Sequence, residues 1–554
     1  MRESISRVLC GCAALMAVAA DARAQRVGDA EPLPRIVGVP VPPQAPVGPQ
    51  LRRRGDVTQL YVQGRPFMVI GGELHNSSSS SLQYMETVWD RVAAMNINTL
   101  LAAVSWELIE PEEGRFDFAL VDGLIAKARE HNLKLIVLWF GSWKNGVSSY
   151  VPGWVKKDTQ RFPRVRPKHG RSIEVLTPLS AANANADATA FAALMRHIRD
   201  IDSKQQTVIM VQVENEAGLL GDSRDRSPRA ENLFAQHVPA ELMQYFQQNR
   251  QRLIPEFRAY WENAGARTSG TWTEVFGEGA DEAFMAWHTA HYIGAVAAAG
   301  KAQYNIPMYA NAWLVQNETQ KPGQYPSGGP VSKVMDIWRA AAPAIDLLAP
   351  DIYLPDFKGV CASYMRNGNP LFIPEAGRGP DAPAKAFYAV GQCNAIGFCP
   401  FGIDSMPADH PLKDAYAVLG QIAPLTFRLQ GTGQMLAVCQ DKPDVKNQRV
   451  ELAGYSLDIS FEVPGKGPVP GYGIIMATGA DEFFVAGAGL AVHFAARTPG
   501  PAQTGILSID EGQFVGGKWV AGRRLNGDEN AGGWRLQLHG SWPGIQRIRL
   551  YRYE

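Results

Sequence analysis

Two glutamates stand where their side chains could act together on one glycosidic bond. Glu216 lies in the segment 212–218 (QVENEAG) and Glu375 in the segment 374–379 (PEAGRG), and each segment follows a short apolar run. Cleavage of a glycosidic bond needs one protonated carboxyl group to assist the leaving oxygen and one ionised carboxylate at the anomeric carbon. The pair predicts glycosidase chemistry if the fold brings the two segments together.

Aromatic side chains accompany these carboxylates. Their rings offer flat platforms for the apolar faces of sugars, although a single Trp is as often a core residue. Tyr353 is also placed to donate a hydrogen bond to Glu375, and Arg378 is a candidate for holding the charge of that carboxylate. Alternation along a strand would put Glu214 on the same side as Glu216, deeper in the site. The candidate platforms are Trp139, Trp143, Trp154, Trp313 and Tyr353.

Eight apolar runs are the elements that would position these residues. Short runs without alternation are typical of parallel strands buried on both faces. Eight of them separated by helical segments predict a (β/α)₈ TIM barrel, whose active site lies at the carboxyl ends of the strands. A doubly wound sheet is the alternative, but no G-x-G-x-x-G follows a strand. The runs are 67–70, 99–104, 135–138, 208–213, 307–310, 345–349, 371–373 and 395–398.

The chain divides into four segments. Residues 1–24 read as a signal peptide, with a basic start, an apolar stretch over 8–20 and an A-R-A cleavage signal. A Pro-rich lead-in follows at 25–52, and the barrel is predicted over 53–425. Residues 426–554 contain short strands separated by turn residues, such as 448–463 and 545–553, and predict a smaller all-β, sandwich-like domain.

The predicted signal peptide has consequences for location and for the cysteines. It places the mature protein in the periplasm or outside the cell, and a membrane anchor is the weaker alternative because the apolar stretch is short. Cys361, Cys393, Cys399 and Cys439 would remain after cleavage. They lack C-x-x-C spacing, which gives no support to structural zinc. Cys393 and Cys399 are close enough in sequence to pair, and buried free thiols are an equal alternative.

Charge composition narrows the class of partner. The chain has 54 Lys plus Arg and 54 Asp plus Glu, so its formal net charge is zero. No basic stripe or charged tail is present, which argues against binding of nucleic acid. We expect an uncharged oligosaccharide or polysaccharide as substrate, no cofactor, no catalytic metal and no membrane span; the oligomeric state stays open.

Three segments resemble the family 35 β-galactosidases, which belong to the 4/7 superfamily of retaining glycosidases. They are 60–78 (LYVQGRPFMVIGGELHNSS), 106–118 (WELIEPEEGRFDF) and 212–218, and the resemblance covers roughly residues 55–410. It implies Glu216 as the acid/base, Glu375 as the nucleophile and Asn215 as a ligand of the sugar 2-hydroxyl. It also implies an accessory role for the β-rich C-terminal region.

The chain departs from that family at two places near the expected sugar site. Asn76 follows His75 where the family usually has Tyr, and 141–143 reads GSW where the family often has Ala-Glu-Trp. Since that Glu normally helps to hold galactose hydroxyls, Lys144 or Asn145 would have to replace it. The sugar-binding candidates are His75, Asn76, Asn215, Trp139, Trp143, Trp313 and Tyr353.

The hypothesis is therefore a retaining hydrolase that releases terminal β-linked galactose, for example from galactosylated xyloglucan oligosaccharides. It requires carboxyl groups about 5–5.5 Å apart and a raised pKa at Glu216, whereas a separation beyond about 6.5 Å would indicate inversion. A β-glucosidase or an endo-β-glycanase on the same barrel is the alternative. A non-catalytic carbohydrate-binding protein is disfavoured, because it would not need both glutamates.

Overall fold

The computed structural model describes residues 48–463, 469–540 and 542–554. The predicted signal peptide and most of the predicted lead-in lie outside these residues. None of the helices in the described ranges is long and apolar enough to cross a membrane.

A small antiparallel sheet precedes the barrel. Its strands are β1 (Gln50–Arg54), β2 (Val57–Val62) and β3 (Arg65–Phe67). Leu60 and Val62 are buried in one cluster with apolar side chains of the barrel interior. The sheet therefore covers the end of the barrel at which the strands begin. Residues 50–52, which the sequence analysis assigned to the lead-in, belong to this sheet.

Eight parallel strands form the barrel, which confirms the predicted fold. Neighbours along the chain pair with each other, and the last strand pairs with the first. A bridge between Ile373 and Phe398 closes the remaining seam. In chain order the strands are β4 (Val69–Glu73), β5 (Thr99–Ser105), β6 (Lys134–Lys144), β7 (Val208–Asn215), β8 (Met308–Trp313), β9 (Leu347–Ile352), β10 (Glu375–Ala376) and β11 (Gly397–Phe398).

Helices surround the barrel, and their apolar faces pack against the strands. The helical segment between the first two barrel strands consists of two short helices, α1 and α2. The helices are α1 (Leu82–Met85), α2 (Trp89–Ala93), α3 (Trp106–Ile109), α4 (Ala119–Glu130), α5 (Gly153–Lys157), α6 (Ala181–Asp202), α7 (Pro228–Phe234), α8 (Ala240–Gln248), α9 (Pro255–Asn263), α10 (Trp272–Phe276), α11 (Ala280–Gln303), α12 (Met335–Ala341), α13 (Phe357–Tyr364), α14 (Ala382–Gly391) and α15 (Leu412–Leu429).

The C-terminal region forms the predicted β domain from two antiparallel sheets, with an apolar core between them. One sheet has the order β12-β15-β16-β21-β18-β19 and the other β13-β14-β17-β20. The strands are β12 (Met435–Cys439), β13 (Asn447–Leu452), β14 (Tyr455–Ser460), β15 (Tyr472–Ala477), β16 (Glu482–Ala488), β17 (Leu490–Ala496), β18 (Gln503–Val515), β19 (Lys518–Leu525), β20 (Leu536–Leu538) and β21 (Gly544–Tyr553).

The strand predicted over 448–463 is a hairpin. Ala453 and Gly454 join β13 to β14 with φ angles of 49° and 84°. Two successive positive φ angles are characteristic of the tight turns whose twist matches that of paired strands. The turn reverses the chain within what the apolar pattern suggested was one strand.

The β domain packs directly on the barrel. Tyr472, Ile474 and Met476 of β15 belong to the same apolar cluster as the barrel helices. At Gly391, the last residue of α14, a Cβ atom would lie 2.6 Å from Ile474 Cγ1, so the close approach of the two domains requires glycine there. The four cysteines among the described residues are buried free thiols.

Candidate active site

A cavity of about 570 Å³ opens at the carboxyl ends of the barrel strands. Its wall includes both predicted catalytic residues, Glu216 just after β7 and Glu375 at the start of β10. One carboxylate oxygen from each of Glu216, Glu375 and Asp351 lies within 4.8 Å of the others. All three side chains are buried, with 6%, 4% and 3% of their residue surface exposed, respectively.

Glu375 is held by two hydrogen bonds. Tyr353 Oη donates to Glu375 Oε2 over 2.9 Å, as predicted from the position of Tyr353 after β9. Asn215 Nδ2 donates to Glu375 Oε1 over 3.4 Å. The orientation of the Asn215 amide follows from Lys144, whose Nζ donates to Asn215 Oδ1 over 2.9 Å. These contacts fix the orientation of the Glu375 carboxyl group in the cavity.

Glu216, unlike Glu375, lies in a backbone segment with unfavourable φ angles. The φ angles of Glu214 and Glu216 are 64° and 43°, a left-handed conformation that non-glycine residues rarely adopt. The amide of Glu216 donates to Asn311 Oδ1 over 3.1 Å, and Asn145 Nδ2 donates to Glu216 Oε2 over 2.5 Å. Such strain costs roughly 1–3 kcal/mol per residue and persists only where the surroundings fix it.

The same segment turns Glu214 away from the cavity. Glu214 Oε2 accepts a hydrogen bond from the amide of Trp143 over 2.7 Å, and its carboxyl group faces Asp187 of α6. The prediction that Glu214 and Glu216 share one side is therefore wrong. It assumed regular strand alternation, which the positive φ of Glu214 interrupts.

The surroundings of Glu216 favour its protonated form. Burial and the nearby charge of Glu375 raise the pKa of Glu216 from 4.5 to about 7, and the positive charge of Lys144 only partly opposes them. A carboxyl group in this state can give a proton to a leaving oxygen near neutral pH.

Two predicted sugar platforms lie elsewhere. Trp139 points toward α6, where its Nε1 donates to Asp187 Oδ1 over 2.9 Å, because its neighbours Leu138 and Phe140 point into the barrel. Trp143 is buried, and its Nε1 donates to the carbonyl of Leu176 over 3.2 Å. Neither residue is on the cavity wall, so their prediction as sugar platforms is wrong.

Three of the other predicted residues lie on the cavity wall, and two do not. Trp313, Tyr353 and Asn76 are on the wall, and Asn76 Oδ1 is buried without a hydrogen-bond partner among the described residues. His75 lies behind the wall, with Nε2 2.8 Å from Ser405 Oγ and its ring edge-on to Phe401. Trp154 donates from Nε1 to the carbonyl of Glu110, outside the cavity wall.

Arg378 does not hold Glu375. Its guanidinium donates to the carbonyl of Gly402 over 3.0 Å and to Ser405 Oγ, and no ion pair joins it to Glu375 in the described part of the chain. The proposed charge partner is therefore wrong. Lys144, which was considered only as a replacement for a missing Glu, is the cation that faces these carboxyl groups.

The sequence analysis missed Asp351 and Glu73. Asp351 lies two residues beyond the predicted sixth run. Extending that strand by two residues would have placed Asp351 on the same face as residue 349 and identified it as a candidate. Glu73 ends β4 with both carboxyl oxygens buried and without hydrogen-bond partners among the described residues. Burial, followed by the charge of Glu375, raises the pKa of both carboxyl groups well above the ordinary range. Ionised oxygens this close repel one another, and either a shared cation or protons retained on the carboxyl groups relieve that repulsion.

Comparisons with known proteins agree with this chemistry. Residues 76–276 match the model of glycoside hydrolase family 42, described as beta-galactosidase. Residues 412–537 match a family described as a domain of unknown function, DUF5597. A beta-galactosidase of Xanthomonas manihotis is 28% identical over 184 residues, which are 32% of this chain and 27% of that protein. The chain thus matches only about a quarter of the length of this curated relative.

Solved structures give weaker similarities. A beta-galactosidase from Bacillus circulans sp. alkalophilus has a TM-score of 0.44 at 15% identity, over 64% of this chain and 56% of that one. The catalytic domain of a beta-amylase from Paenibacillus polymyxa has a TM-score of 0.45 at 12% identity, over 64% of this chain and 98% of that one. Over residues 76–276, then, this chain is similar to the beta-galactosidases of glycoside hydrolase family 42.

Proposed function

We propose that the protein is a retaining glycosidase that releases terminal β-linked galactose from uncharged oligosaccharides or polysaccharides. The observation that carries the proposal is the common cavity of Glu216 and Glu375, with carboxylate oxygens within 4.8 Å. The carboxyl groups of retaining enzymes are about 5–5.5 Å apart, and those of inverting enzymes about 6.5–9.5 Å. A limit of 4.8 Å between one oxygen of each carboxyl group is compatible with the spacing of retaining enzymes.

The mechanism assigns one role to each glutamate. Glu375, with hydrogen bonds from Tyr353 and Asn215, attacks the anomeric carbon while Glu216 protonates the leaving oxygen. The bond to the leaving group breaks as the bond to Glu375 forms. Glu216 then takes a proton from water, whose oxygen displaces Glu375 and releases the sugar with its β configuration.

Galactose is the sugar that the comparisons and the family 35 motifs support, although the matched model is that of family 42. The cavity wall includes Asn76, Lys144 and Asn145, and these side chains supply donors for sugar hydroxyls. Its outer wall carries Trp313 and the uncharged side chains of Gln316, Gln320 and Gln324. These groups suit a neutral oligosaccharide as the leaving group, for which galactosylated xyloglucan is our candidate.

Hydrolysis of a panel of nitrophenyl β-glycosides tests the proposal. We expect the β-galactoside to be cleaved fastest, with the β anomer as the first product seen by NMR. Glu375→Ala should abolish turnover, and azide should restore it by forming an α-galactosyl azide. The exposed Glu112→Ala serves as a control with unchanged turnover. Cleavage of none of the panel, or an α anomer as first product, contradicts the proposal. A faster β-glucoside would favour the alternative of a β-glucosidase.

We also propose that residues 1–24 direct export of the protein. If so, mass spectrometry of the exported protein should find Gln25 at its N-terminus. Retention of the full-length chain inside the cell would contradict this.

A further inference from the structure

Asp351 is a buried carboxyl group in the cavity that the mechanism above does not use. It lies near the end of β9 with only 3% of its surface exposed, and one of its oxygens is within 4.8 Å of oxygens of Glu216 and Glu375. Asp351 and Glu216 are within hydrogen-bonding reach of each other. Two carboxyl groups at this distance form a hydrogen bond only if one of them carries a proton.

Asn311 ties Asp351 to the backbone of Glu216. The amide N–H of Glu216 donates to Asn311 Oδ1 over 3.1 Å, which fixes which end of the Asn311 side chain faces β7. Asn311 Nδ2 therefore points the other way and donates to Asp351 Oδ2 over 2.7 Å. The Asn311 amide thus sets the position of Asp351 relative to the strained residue whose carboxyl group must move a proton.

The second oxygen of Asp351 indicates which of the two groups holds the proton. Asp351 Oδ1 is buried and faces no hydrogen-bond donor among the described residues. Once Glu216 has given up its proton, an ionised Asp351 would leave this oxygen unpaired beside a second carboxylate, at a substantial free-energy cost. As a neutral acid, it can turn the same oxygen into a donor toward Glu216. The amide of Asn311, which donates to Oδ2, is compatible with the neutral form.

The charges around Asp351 also disfavour its anion. Glu73 faces it from β4, Glu216 from β7 and Glu375 from β10, and the hydroxyl groups of Tyr309 and Tyr353 lie in the same cluster. Lys144, whose charge acts on Glu73 and Glu216, donates its hydrogen bond to Asn215 and not to Asp351. Burial and then the charge of Glu375 raise the pKa of Asp351 well above its ordinary range.

We propose that Asp351 is a positioning residue, held neutral by its surroundings, whose carboxyl proton is donated as a hydrogen bond to the carboxylate of Glu216. The proposal rests on the proposed glycosidase function. When Glu216 gives its proton to the leaving oxygen, the hydrogen bond from Asp351 stabilises the carboxylate that remains. When Glu216 later takes a proton from water, that bond weakens again. The proton of Asp351 stays on Asp351 throughout.

Two substitutions of Asp351 distinguish a neutral, hydrogen-bond-donating Asp351 from an ionised one. Asp351→Asn keeps a neutral donor, so we expect kcat/KM within about tenfold of wild type and an unchanged basic limb of its pH profile. Asp351→Leu removes the donor, which destabilises the carboxylate of Glu216. The basic limb should then move to higher pH by about one unit, and the glycosyl-enzyme should accumulate. Asp336→Asn, at a buried aspartate of α12 outside the cavity, is the matched control with an unshifted limb.

The direction of the shift decides the outcome. If Asp351 were ionised, it would repel the carboxylate of Glu216, and both substitutions would move the basic limb to lower pH, which would overturn the proposal. Infrared spectroscopy supplies a readout that needs no substrate: Asp351→Asn should lose a protonated-carboxyl band at pH 7. Retention of every such band would also overturn it. If wild type cleaved no glycoside, the function would fail while the infrared result still decided the state of Asp351.

Discussion

Two buried aspartates, one in each domain, have opposite surroundings. Asp351 in the barrel lies among carboxyl groups, and its pKa is raised by burial and by the charge of Glu375. Asp510 in the β domain is equally buried, but Arg524 and Arg547 approach it to 2.8 and 3.1 Å. Burial by itself would raise the pKa of Asp510, and the hydrogen bonds from these arginines outweigh it and lower that pKa.

Under the proposed function, the difference separates a carboxyl group that serves chemistry from one that serves the fold. The β domain compensates its buried charge with cations, as expected for a group that only has to be stable. The barrel leaves Glu73, Asp351 and Glu216 with little compensation and adds backbone strain at Glu216. Such local costs persist where function requires them and the rest of the fold can absorb them.

The largest effect should come from Glu216→Gln, which removes the proposed proton donor and leaves the shape of the side chain unchanged. We expect kcat/KM for β-galactosides with poor leaving groups to fall about 10²- to 10⁴-fold. Dinitrophenyl galactoside should lose much less in the first step, because its leaving group needs no protonation. Steady-state rates across a series of leaving groups measure this dependence.

Glu214→Gln is a sharp control for that variant. Glu214 is two residues away and has a similar positive φ, but its carboxyl group faces Asp187 outside the cavity. We expect a change of less than about tenfold that does not depend on the leaving group. Equal losses in the two variants would remove the distinction between the two glutamates.

The next effect should appear in the β domain. Asp510→Ala removes a buried carboxylate that accepts hydrogen bonds from Arg524 and Arg547. Because water reaches both guanidinium groups and can replace part of these contacts, we expect a loss of about 1–2 kcal/mol in the free energy of unfolding at pH 7. Asp458→Ala breaks the exposed pair with Arg449 and should lose less than about 1 kcal/mol. Activity should be unchanged in both variants. Denaturant titration checks this, and a tolerated Asp510→Ala would contradict the comparison of the two aspartates.

The sequence predicted the barrel and the two glutamates for one physical reason. Parallel strands buried on both faces produce apolar runs, and the residue that ends such a run in a barrel faces the common opening. That rule placed Glu216 and Glu375 within a few ångströms of each other although 158 residues separate them in the chain. It required no knowledge of side-chain contacts.

Side-chain directions at the strand ends could not be predicted in the same way. The bend at Glu214 and Glu216 depends on φ angles that no residue type there favours, and this reversed the direction of Glu214. The outward direction of Trp139 could not be predicted, because the strand is apolar on both faces. No polar residue shows which side chains point into the barrel and which point toward the helices. Asp351 was missed because the strand continues past the end of its apolar run.

The pH dependence of stability sharpens the comparison further. A carboxyl group with a raised pKa binds more protons in the folded state, so its contribution to stability falls as pH rises from 4.5 to about 7 for Glu216. Asp510, with a lowered pKa, contributes stability above its unfolded pKa and loses it as pH falls through the folded value. The melting temperature of Glu216→Gln should therefore fall less than that of wild type as pH rises toward 7. The melting temperature of Asp510→Ala should fall less than that of wild type as pH is lowered into the acid range. Identical pH slopes in the two variants would contradict this.

The smallest effect should come from Tyr353→Phe, which removes one hydrogen bond to Glu375 Oε2 and leaves the ring in place. Tyr353 is half-exposed, so water can partly replace its hydroxyl group, and the loss should be about 1 kcal/mol, or roughly fivefold in kcat/KM. The loss should fall on kcat for the step in which Glu375 attacks, with little change in stability, because the ring keeps its packing. A rate equal to that of wild type would mean that Asn215 alone suffices to hold Glu375. A loss as large as that of Glu216→Gln would mean that Tyr353 itself takes part in the chemistry.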